Sequence, residues 1–232
     1  MNKKNLTIKT SLKILLIVFT SLSVIGFSFR YFDDSDKTTQ KMIHLERALQ
    51  DIRAAMNVDS VRQYGIQKIM RIINTYNEEM PSEKKYEIAN EIYEMSVKYT
   101  NLDLDLICAT ITHESALTWN PKIKSHAGAI GLMQIMPATG MYLARYEEIT
   151  WTTAEEILED PVYNIRMGSR YLSTLISYYD LEGGLAAYNG GEKTASIWLA
   201  NKKADGILYA ETRDYIPAVK KLYKKFQDEP PL

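Results

Sequence analysis

This chain has few cysteine and histidine residues and almost no net charge. Cys108 is the single cysteine among 232 residues, so an internal disulfide is impossible, and a disulfide scaffold and a cysteine-rich zinc cage are excluded. The 28 lysines and arginines balance 29 acidic residues, so no global positive field exists to attract the phosphates of a nucleic acid. We therefore expect no nucleic-acid partner, and a stability that comes from a packed core.

Residue patterns typical of metal and nucleotide sites are also lacking. His113-Glu114 would begin a zinc-protease motif only if position 117 were histidine, and it is Leu117. The glycine-containing segment 128–137 lacks the Lys-Ser/Thr pair of a phosphate-binding loop. We expect neither a metal site nor a bound nucleotide.

Long alternating patterns, which would predict β-strands, do not occur. The segment 119–137 lacks helical periodicity and predicts a loop or short hairpin. The remaining patterns after Pro81 are helical and predict a mainly α fold. The predicted helices are Tyr86 to Tyr99, Leu104 to Leu117, Ala138 to Tyr146, Asn164 to Tyr179, Leu185 to Asn189, Lys193 to Asn201 and Arg213 to Phe226.

One long apolar run is present, from Ile14 to Phe29. Lysines precede it and Arg30 and three aspartates follow it, an order that predicts a membrane anchor or signal segment within residues 1–32, with the later residues outside the cytoplasm. The lack of an Ala-x-Ala site and of a lipobox cysteine favours an uncleaved anchor over a removed signal, which would leave a secreted protein. A buried core helix is the alternative.

A helical stalk is predicted for residues 33–80, ahead of a domain at 81–232. The stalk carries two stripes of apolar residues. In the first stripe the apolar residues recur every three or four positions, and the second stripe ends before Pro81. Packing on the following domain is favoured over a coiled coil, because the pattern breaks at Asp59. The two stripes comprise Met42, Leu45, Leu49, Ile52 and Met56, then Ile66, Ile69, Ile73 and Tyr76.

Glu114 is the most informative single residue. Ile107, Ile111 and Glu114 fall at i, i+4 and i+7 of one predicted helix, so the carboxylate shares an apolar face. Burial would raise its pKa toward neutrality and suit it to donate a proton as a general acid. A solvent-facing or ion-paired glutamate at the helix end is the alternative.

Four separated motifs then converge, so that residues 86–226 resemble the catalytic domain of the soluble lytic transglycosylases (SLT, or family 1 lytic transglycosylases). These motifs are Glu114-Ser115, Gly131 to Pro137 (GLMQIMP), Ala187 to Gly190 (AYNG), and Glu211-Thr212-Arg213 with Tyr215. The stretches from Asn120-Pro121 to Gly128-Ala129 and from Asp160-Pro161 to Gly168 are also similar to the family pattern. Two departures are a longer 116–119 segment and Gly190-Gly191-Glu192, where relatives often have Ala-Gly-Pro.

The resemblance implies a lysozyme-like, mainly α domain whose cleft binds peptidoglycan glycan strands, without a cofactor. It implies cleavage of the β-1,4 bond between N-acetylmuramic acid and N-acetylglucosamine to give 1,6-anhydromuramyl ends, with Glu114 as the single acid and base. A lysozyme-type hydrolase, with Glu211 or Asp214 as second carboxylate, and a glycan-binding scaffold protein are the alternatives. The substrate-binding residues implied by the resemblance are Ser125, Gln134, Met136, Tyr188, Asn189 and Glu211.

Overall fold

The computed structural model describes the backbone of residues 3–229 and the side chains of residues 19–23 and 40–229. Within that part the protein is helical, and its β structure consists of isolated bridges in one loop. The mainly α fold class is therefore confirmed. The helices are α1 (Lys3–Tyr76), α2 (Ser82–Lys98), α3 (Leu104–Glu114), α4 (Pro137–Ala144), α5 (Ala154–Leu158), α6 (Pro161–Gly190), α7 (Glu192–Ala200) and α8 (Ala210–Gln227).

The predicted anchor at residues 1–32 gains no support from the structure. Across the residues that are described, none of the helices is both long enough and apolar enough to span a membrane. Most of the apolar run falls outside the described side chains, since only those of residues 19–23 are described there. The anchor remains a prediction from the sequence.

The chain divides after Ser60 into two compact units. In the first, the stripe from Met42 to Met56 has side chains that are 47 to 65% exposed. In the second, Ile66, Ile69 and Ile73 are fully buried in the core. The second unit thus begins twenty residues before the predicted domain start at 81, because the apolar face of the last turns of α1 belongs to its core.

Local signals explain where the helices of the second unit begin. Asp103 caps α3 by accepting a hydrogen bond from the backbone N–H of Leu106 at 2.8 Å, and its side chain satisfies one of the free donors of the first turn. Asp160 caps α6 in the same way, with Pro161 in the first helical position. α6 joins two predicted helices and bends at Asp180, whose φ of 62° is not helical.

The position of the site depends on how the helices of this unit pack. α3 packs against α8, and α6 packs against α2, α7 and α8. The core is a single cluster that includes Ile107, Ile111 and Trp119, all fully buried. α3 is therefore held against α8, which in turn packs against α6.

Candidate active site

Glu114 is the last residue of α3, and the turn after it ends the helix earlier than the predicted Leu117. Ala116, Leu117 and Trp119 have φ values of 51°, 62° and 49°, a left-handed region that costs non-glycine residues energy. Burial of the Trp119 indole, whose N–H donates to the Thr112 hydroxyl at 3.0 Å, holds this turn in place. The helix therefore ends with Glu114 as its last residue.

Ser115, the second residue of the first motif, has a structural role in that turn. Its side chain is fully buried, and its hydroxyl accepts a hydrogen bond from the backbone N–H of Trp119 at 3.1 Å. Its carbonyl accepts a second bond from the Thr118 hydroxyl at 2.6 Å. Ser115 thus fixes the backbone beside Glu114.

The environment of Glu114 raises its pKa from 4.5 to about 7. Loss of hydration on burial is the main cause, and the charge of Glu211 acts in the same direction. Interaction with the Tyr215 hydroxyl lowers the pKa by a smaller amount. The location at the negative end of the α3 dipole also disfavours the carboxylate. Near neutral pH both the protonated and the ionised form of this carboxyl group are populated.

α8 supplies the opposite wall of the site. Tyr215 is buried, and its hydroxyl has no hydrogen-bond partner of normal geometry within residues 40–229. Burial and the nearby charge of Glu114 raise the pKa of Tyr215 well above its usual value, so it remains a neutral donor. The His113 ring meets the Tyr215 ring edge to face at 4.8 Å. Burial lowers the pKa of His113, partly opposed by Glu211.

Tyr188 connects the site to the loop at 123–137. Its hydroxyl donates to the carbonyl of Met133 at 2.8 Å. Burial first, and then the charge of Glu114, raise the pKa of Tyr188. The next residue, Asn189, accepts a hydrogen bond from the Thr212 hydroxyl at 2.7 Å and so ties α6 to α8. A Cβ on Gly190 would lie 2.7 Å from the Thr212 hydroxyl, so this contact requires glycine.

The loop at 123–137 is a folded unit, in agreement with the predicted loop or hairpin. Ile130 forms antiparallel bridges with Lys124 and with Ile135. Gln134 has a left-handed φ of 48°, and its amide nitrogen donates to the carbonyl of Gly131 at 2.9 Å. These bonds hold the signature segment in one conformation.

Asn164 of α6 anchors this loop to the core. Its amide oxygen accepts from the backbone N–H of Met133 at 2.7 Å, and its amide nitrogen donates to the carbonyls of Ile130 and Leu158 at 2.9 Å each. A Cβ on Gly131 would lie 2.2 Å from the Asn164 amide nitrogen. Glycine at 131 is thus required by close approach as well as by its φ of 85°.

The structure brings two of the predicted site residues, Tyr188 and Glu211, into electrostatic range of a third, Glu114. Asn189 adjoins Tyr188 and contacts α8. The other three lie on the 123–137 loop: Gln134 braces it, Met136 is 43% exposed at the start of α4, and Ser125 accepts a bond from the N–H of Ala129 at 3.0 Å. In the part of the chain with described side chains, acidic, cysteine and histidine residues form no cluster suited to a metal ion.

Three residues that shape the site were absent from the predicted set. Tyr215 follows Glu211 by four positions, so a helical reading of the fourth motif would have placed both on one face. Asn164 lies in the stretch that resembles the family, but its buried bonds to the loop depend on tertiary packing. Thr212 likewise acquires its role from a contact with Asn189 across two helices.

Comparison with known proteins agrees with this geometry. The "Soluble lytic murein transglycosylase" of Escherichia coli (strain K12) is 31% identical over 148 residues, covering 59% of this chain and 23% of that protein. "Membrane-bound lytic murein transglycosylase C" of Salmonella paratyphi B is 29% identical over 166 residues, covering 59% of this chain and 45% of that protein. The chain therefore spans less than half the length of each.

A solved structure extends the likeness to the fold. An inactive glutamate-to-glutamine mutant of the lytic transglycosylase Slt from Pseudomonas aeruginosa matches with a TM-score of 0.52 and 27% identity, over 61% of this chain and 24% of that one. The family model described as the transglycosylase SLT domain matches residues 91–209, which is more than half of the chain. The chain belongs to the transglycosylase SLT domain family.

Proposed function

We propose that this protein is a peptidoglycan lytic transglycosylase. It would cleave the β-1,4 bond between N-acetylmuramic acid and N-acetylglucosamine and leave a 1,6-anhydromuramyl end. The observation that carries the proposal is the position of Glu114 at the carboxyl end of α3 in an SLT domain, where burial raises its pKa to about 7. Such a group can give up a proton and regain it at neutral pH.

In the proposed mechanism Glu114 performs both proton transfers. The carboxylic acid first protonates the glycosidic oxygen as the bond to the anomeric carbon breaks. The resulting carboxylate then takes the proton from the C6 hydroxyl of the muramic acid, whose oxygen bonds to the anomeric carbon. Water does not enter the product, so the second carboxylate of an ordinary glycosidase is not required.

The other site residues support the substrate in this proposal. Tyr188 and Asn189 are held rigidly by their bonds to Met133 and Thr212, which favours positioning of the reacting sugar. Glu211, exposed on α8, would accept hydrogen bonds from sugar groups. Ser125, Gln134 and Met136 would line the cleft from the loop. Proton transfer by side chains requires no cofactor.

A lysozyme-type hydrolase is the second candidate, and the proximity of Glu211 to Glu114 favours it. The charge of Glu211 raises the pKa of Glu114, so the two carboxyl groups interact. Asp214, whose side chain is 74% exposed and pairs with Arg213, is less suited to this role. A hydrolase would use the second carboxylate to activate a water molecule.

Digestion of purified peptidoglycan by the full chain tests the reaction. The soluble products are examined by mass spectrometry. Muropeptides one water lighter than their reducing counterparts are expected. Reducing ends would instead establish the hydrolase, and intact peptidoglycan would contradict both enzymes and favour a glycan-binding protein.

Glu114→Gln tests the proposed acid and base. The amide has a similar shape but can neither donate nor accept this proton, so we expect turnover to fall at least about a thousandfold, the scale of general acid–base catalysis. Glu87→Gln is the matched control, because Glu87 lies in an exposed pair with Lys84 on α2. Turnover of Glu114→Gln at the level of the control would overturn the mechanism.

We also propose that the domain acts in the cell envelope, outside the cytoplasmic membrane. The proposed substrate lies there, and the Salmonella relative is named membrane-bound. The lysines before the apolar run at 14–29 predict its orientation. Membrane fractionation of the full chain and of a variant with aspartates in that run is the test. Equal recovery of both in the soluble fraction would exclude the anchor.

A further inference from the structure

A cavity of about 730 Å³ lies between α7, the segment 201–209 and α8, and this volume is within the range of ligand sites in proteins. We call it the basic pocket. Its lining contains six cationic side chains and three carboxylates, in a chain whose net charge is −1. Positive charge is therefore concentrated in this pocket. The cations of the lining are Lys203, Arg213, Lys220, Lys221, Lys224 and Lys225.

The basic pocket lies away from the candidate active site. Glu211 and Tyr215, which interact with Glu114, lie about one turn apart on α8. Lys224 follows Tyr215 by about two and a half helical turns, so it stands on the opposite face of the helix. The lining of the pocket contains none of the predicted site residues. We therefore expect a ligand other than the strand that is cleaved at Glu114.

Contacts within the protein hold one wall of the pocket in place. The Glu182 carboxylate accepts hydrogen bonds from Lys203 Nζ, at 2.7 Å, and from Lys220 Nζ. These bonds lower the pKa of Glu182 to about 2. The backbone N–H of Lys203 donates to the carbonyl of Trp198 at 2.8 Å. The segment after α7 is thus tied to α6 and α8, and the charge of Glu182 is already paired.

Two lysines of α8 remain available to a ligand. Lys221 and Lys224 are exposed, and their side chains form no hydrogen bond or ion pair within residues 40–229. Lys225, by contrast, lies over the Tyr76 ring at 5.3 Å and donates to its hydroxyl at 3.2 Å. Arg213 pairs with the neighbouring aspartate at 3.2 Å. An anion bound at Lys221 and Lys224 would therefore break no ion pair among these residues.

The lining of the basic pocket also has an apolar part. The Trp198 ring is partly buried, and Lys203 Nζ lies 5.4 Å from its centroid. Ile216 is 7% exposed, and Leu208 and Pro217 complete the apolar lining. An apolar recess surrounded by cations is complementary to one apolar side chain that is flanked by carboxylates.

The shape and the charges of the pocket favour a peptide over other anionic partners. A bilayer surface is too flat to enter a recess and contact the partly buried Trp198. A nucleic acid would bring its phosphates against Asp205 and Asp228, which also line the pocket. The N–H groups of a peptide can instead donate to these two carboxylates, while its acidic side chains pair with Lys221 and Lys224.

We propose that the basic pocket is a docking site for an acidic segment of a partner protein. The segment places one apolar side chain on Trp198 and its flanking carboxylates on Lys221 and Lys224. This inference goes beyond the proposed function, because docking on the face of α8 opposite Tyr215 does not depend on the reaction at Glu114.

Fluorescence anisotropy of a labelled peptide, titrated with the full chain, tests the docking site. The probe is a short peptide in which a central leucine lies between two runs of glutamate. A matched peptide with glutamine in place of glutamate is the control for charge. We expect the acidic probe to bind and its affinity to fall with added salt. The glutamine peptide should bind at least about tenfold more weakly.

Substitutions in the chain locate the binding to the basic pocket. Lys221→Glu combined with Lys224→Glu should weaken binding of the acidic probe at least about tenfold. Lys41→Glu combined with Lys193→Glu is the matched control, because it changes the net charge equally at exposed lysines outside the lining. Trp198→Ala should cost about tenfold, as loss of an aromatic anchor does, whereas Trp198→Phe should retain most of the affinity. Circular dichroism of each variant establishes that the fold is retained.

Equal affinities of the two double variants would overturn the docking site, as would lack of binding of the acidic probe by the unmodified chain. Cosedimentation with phosphatidylglycerol vesicles that is lost with Lys221→Glu and Lys224→Glu, without peptide binding, would overturn the peptide in favour of a membrane. Slower peptidoglycan digestion by that variant would overturn it in favour of the substrate. Failure of the proposed function appears instead as intact peptidoglycan with the unmodified chain, and leaves the peptide comparison readable.

Discussion

Two shielded glutamates of the same unit have pKa values that are shifted in opposite directions. Glu147 follows α4, and its side chain is 4% exposed. Burial raises its pKa, but hydrogen bonds from Lys98, Arg170 and Tyr99 outweigh burial and lower the pKa below its usual value. Glu114 faces the Tyr215 hydroxyl and the charge of Glu211, and its pKa rises to about 7.

The difference shows that partners, and not burial alone, determine what a glutamate does. The Glu147 carboxylate accepts hydrogen bonds from Lys98 Nζ at 2.8 Å and from the Tyr99 hydroxyl at 3.0 Å. These bonds tie the end of α2 to the turn after α4. The carboxylate remains ionised and structural. Glu114 retains an exchangeable proton, at the expense of stability in the ionised state.

The largest expected effect is on the stability of the Glu114 region. The folded pKa of about 7 exceeds the usual 4.5, so the contribution of this group is fully present below pH 4.5 and is lost as pH rises through 7. Glu114→Gln should therefore gain stability over the wild type, on the order of 3 kcal/mol at pH 8, and little at pH 4.5. Urea denaturation at both values measures it, and a difference independent of pH would contradict the raised pKa.

The matching substitution at Glu147 should have the opposite sign. Glu147→Gln leaves Lys98 and Arg170 without their carboxylate, and breaking a buried pair costs about 3–5 kcal/mol. Both cations are partly exposed, so we expect a loss of about 2 kcal/mol at pH 7. The lowered pKa means that this stability is lost as pH falls through it. Urea denaturation should show the loss shrinking in acid, and a constant loss would argue against the ion pairs.

The smallest expected effects are small shifts in the pKa of Glu114. The alkaline limb of the pH–activity profile should follow loss of its proton. Glu211→Gln removes a charge that raises the pKa of Glu114, so the alkaline limb should move to lower pH. Tyr215→Phe removes a hydroxyl that lowers the pKa of Glu114, so the alkaline limb should move to higher pH. Profiles of kcat/KM measure both shifts, with Tyr178→Phe as the control. Shifts in one common direction would contradict these assignments.

The sequence predicted much of the fold and part of the site. Ile107 and Ile111, placed by periodicity on one face with Glu114, are both fully buried, and the predicted helices correspond to α2, α3, α4, α6, α7 and α8 within a few residues. α5 was missed because five residues are too few to show a period. The two predicted helices that form α6 end at Tyr179 and begin again at Leu185, and the backbone leaves the helical region between them, at Asp180.

What the sequence determined by itself rests on short-range physics. Side-chain periodicity defines which face of a helix is apolar, and caps such as Asp103 and Asp160 define where a helix begins. Tertiary structure alone decided that α3 ends at Glu114, because the left-handed turn is held by burial of Trp119. It also set the pKa of that carboxyl group, which depends on loss of hydration and on two residues that act through space. Those residues, Tyr215 and Glu211, lie about a hundred positions away along the chain.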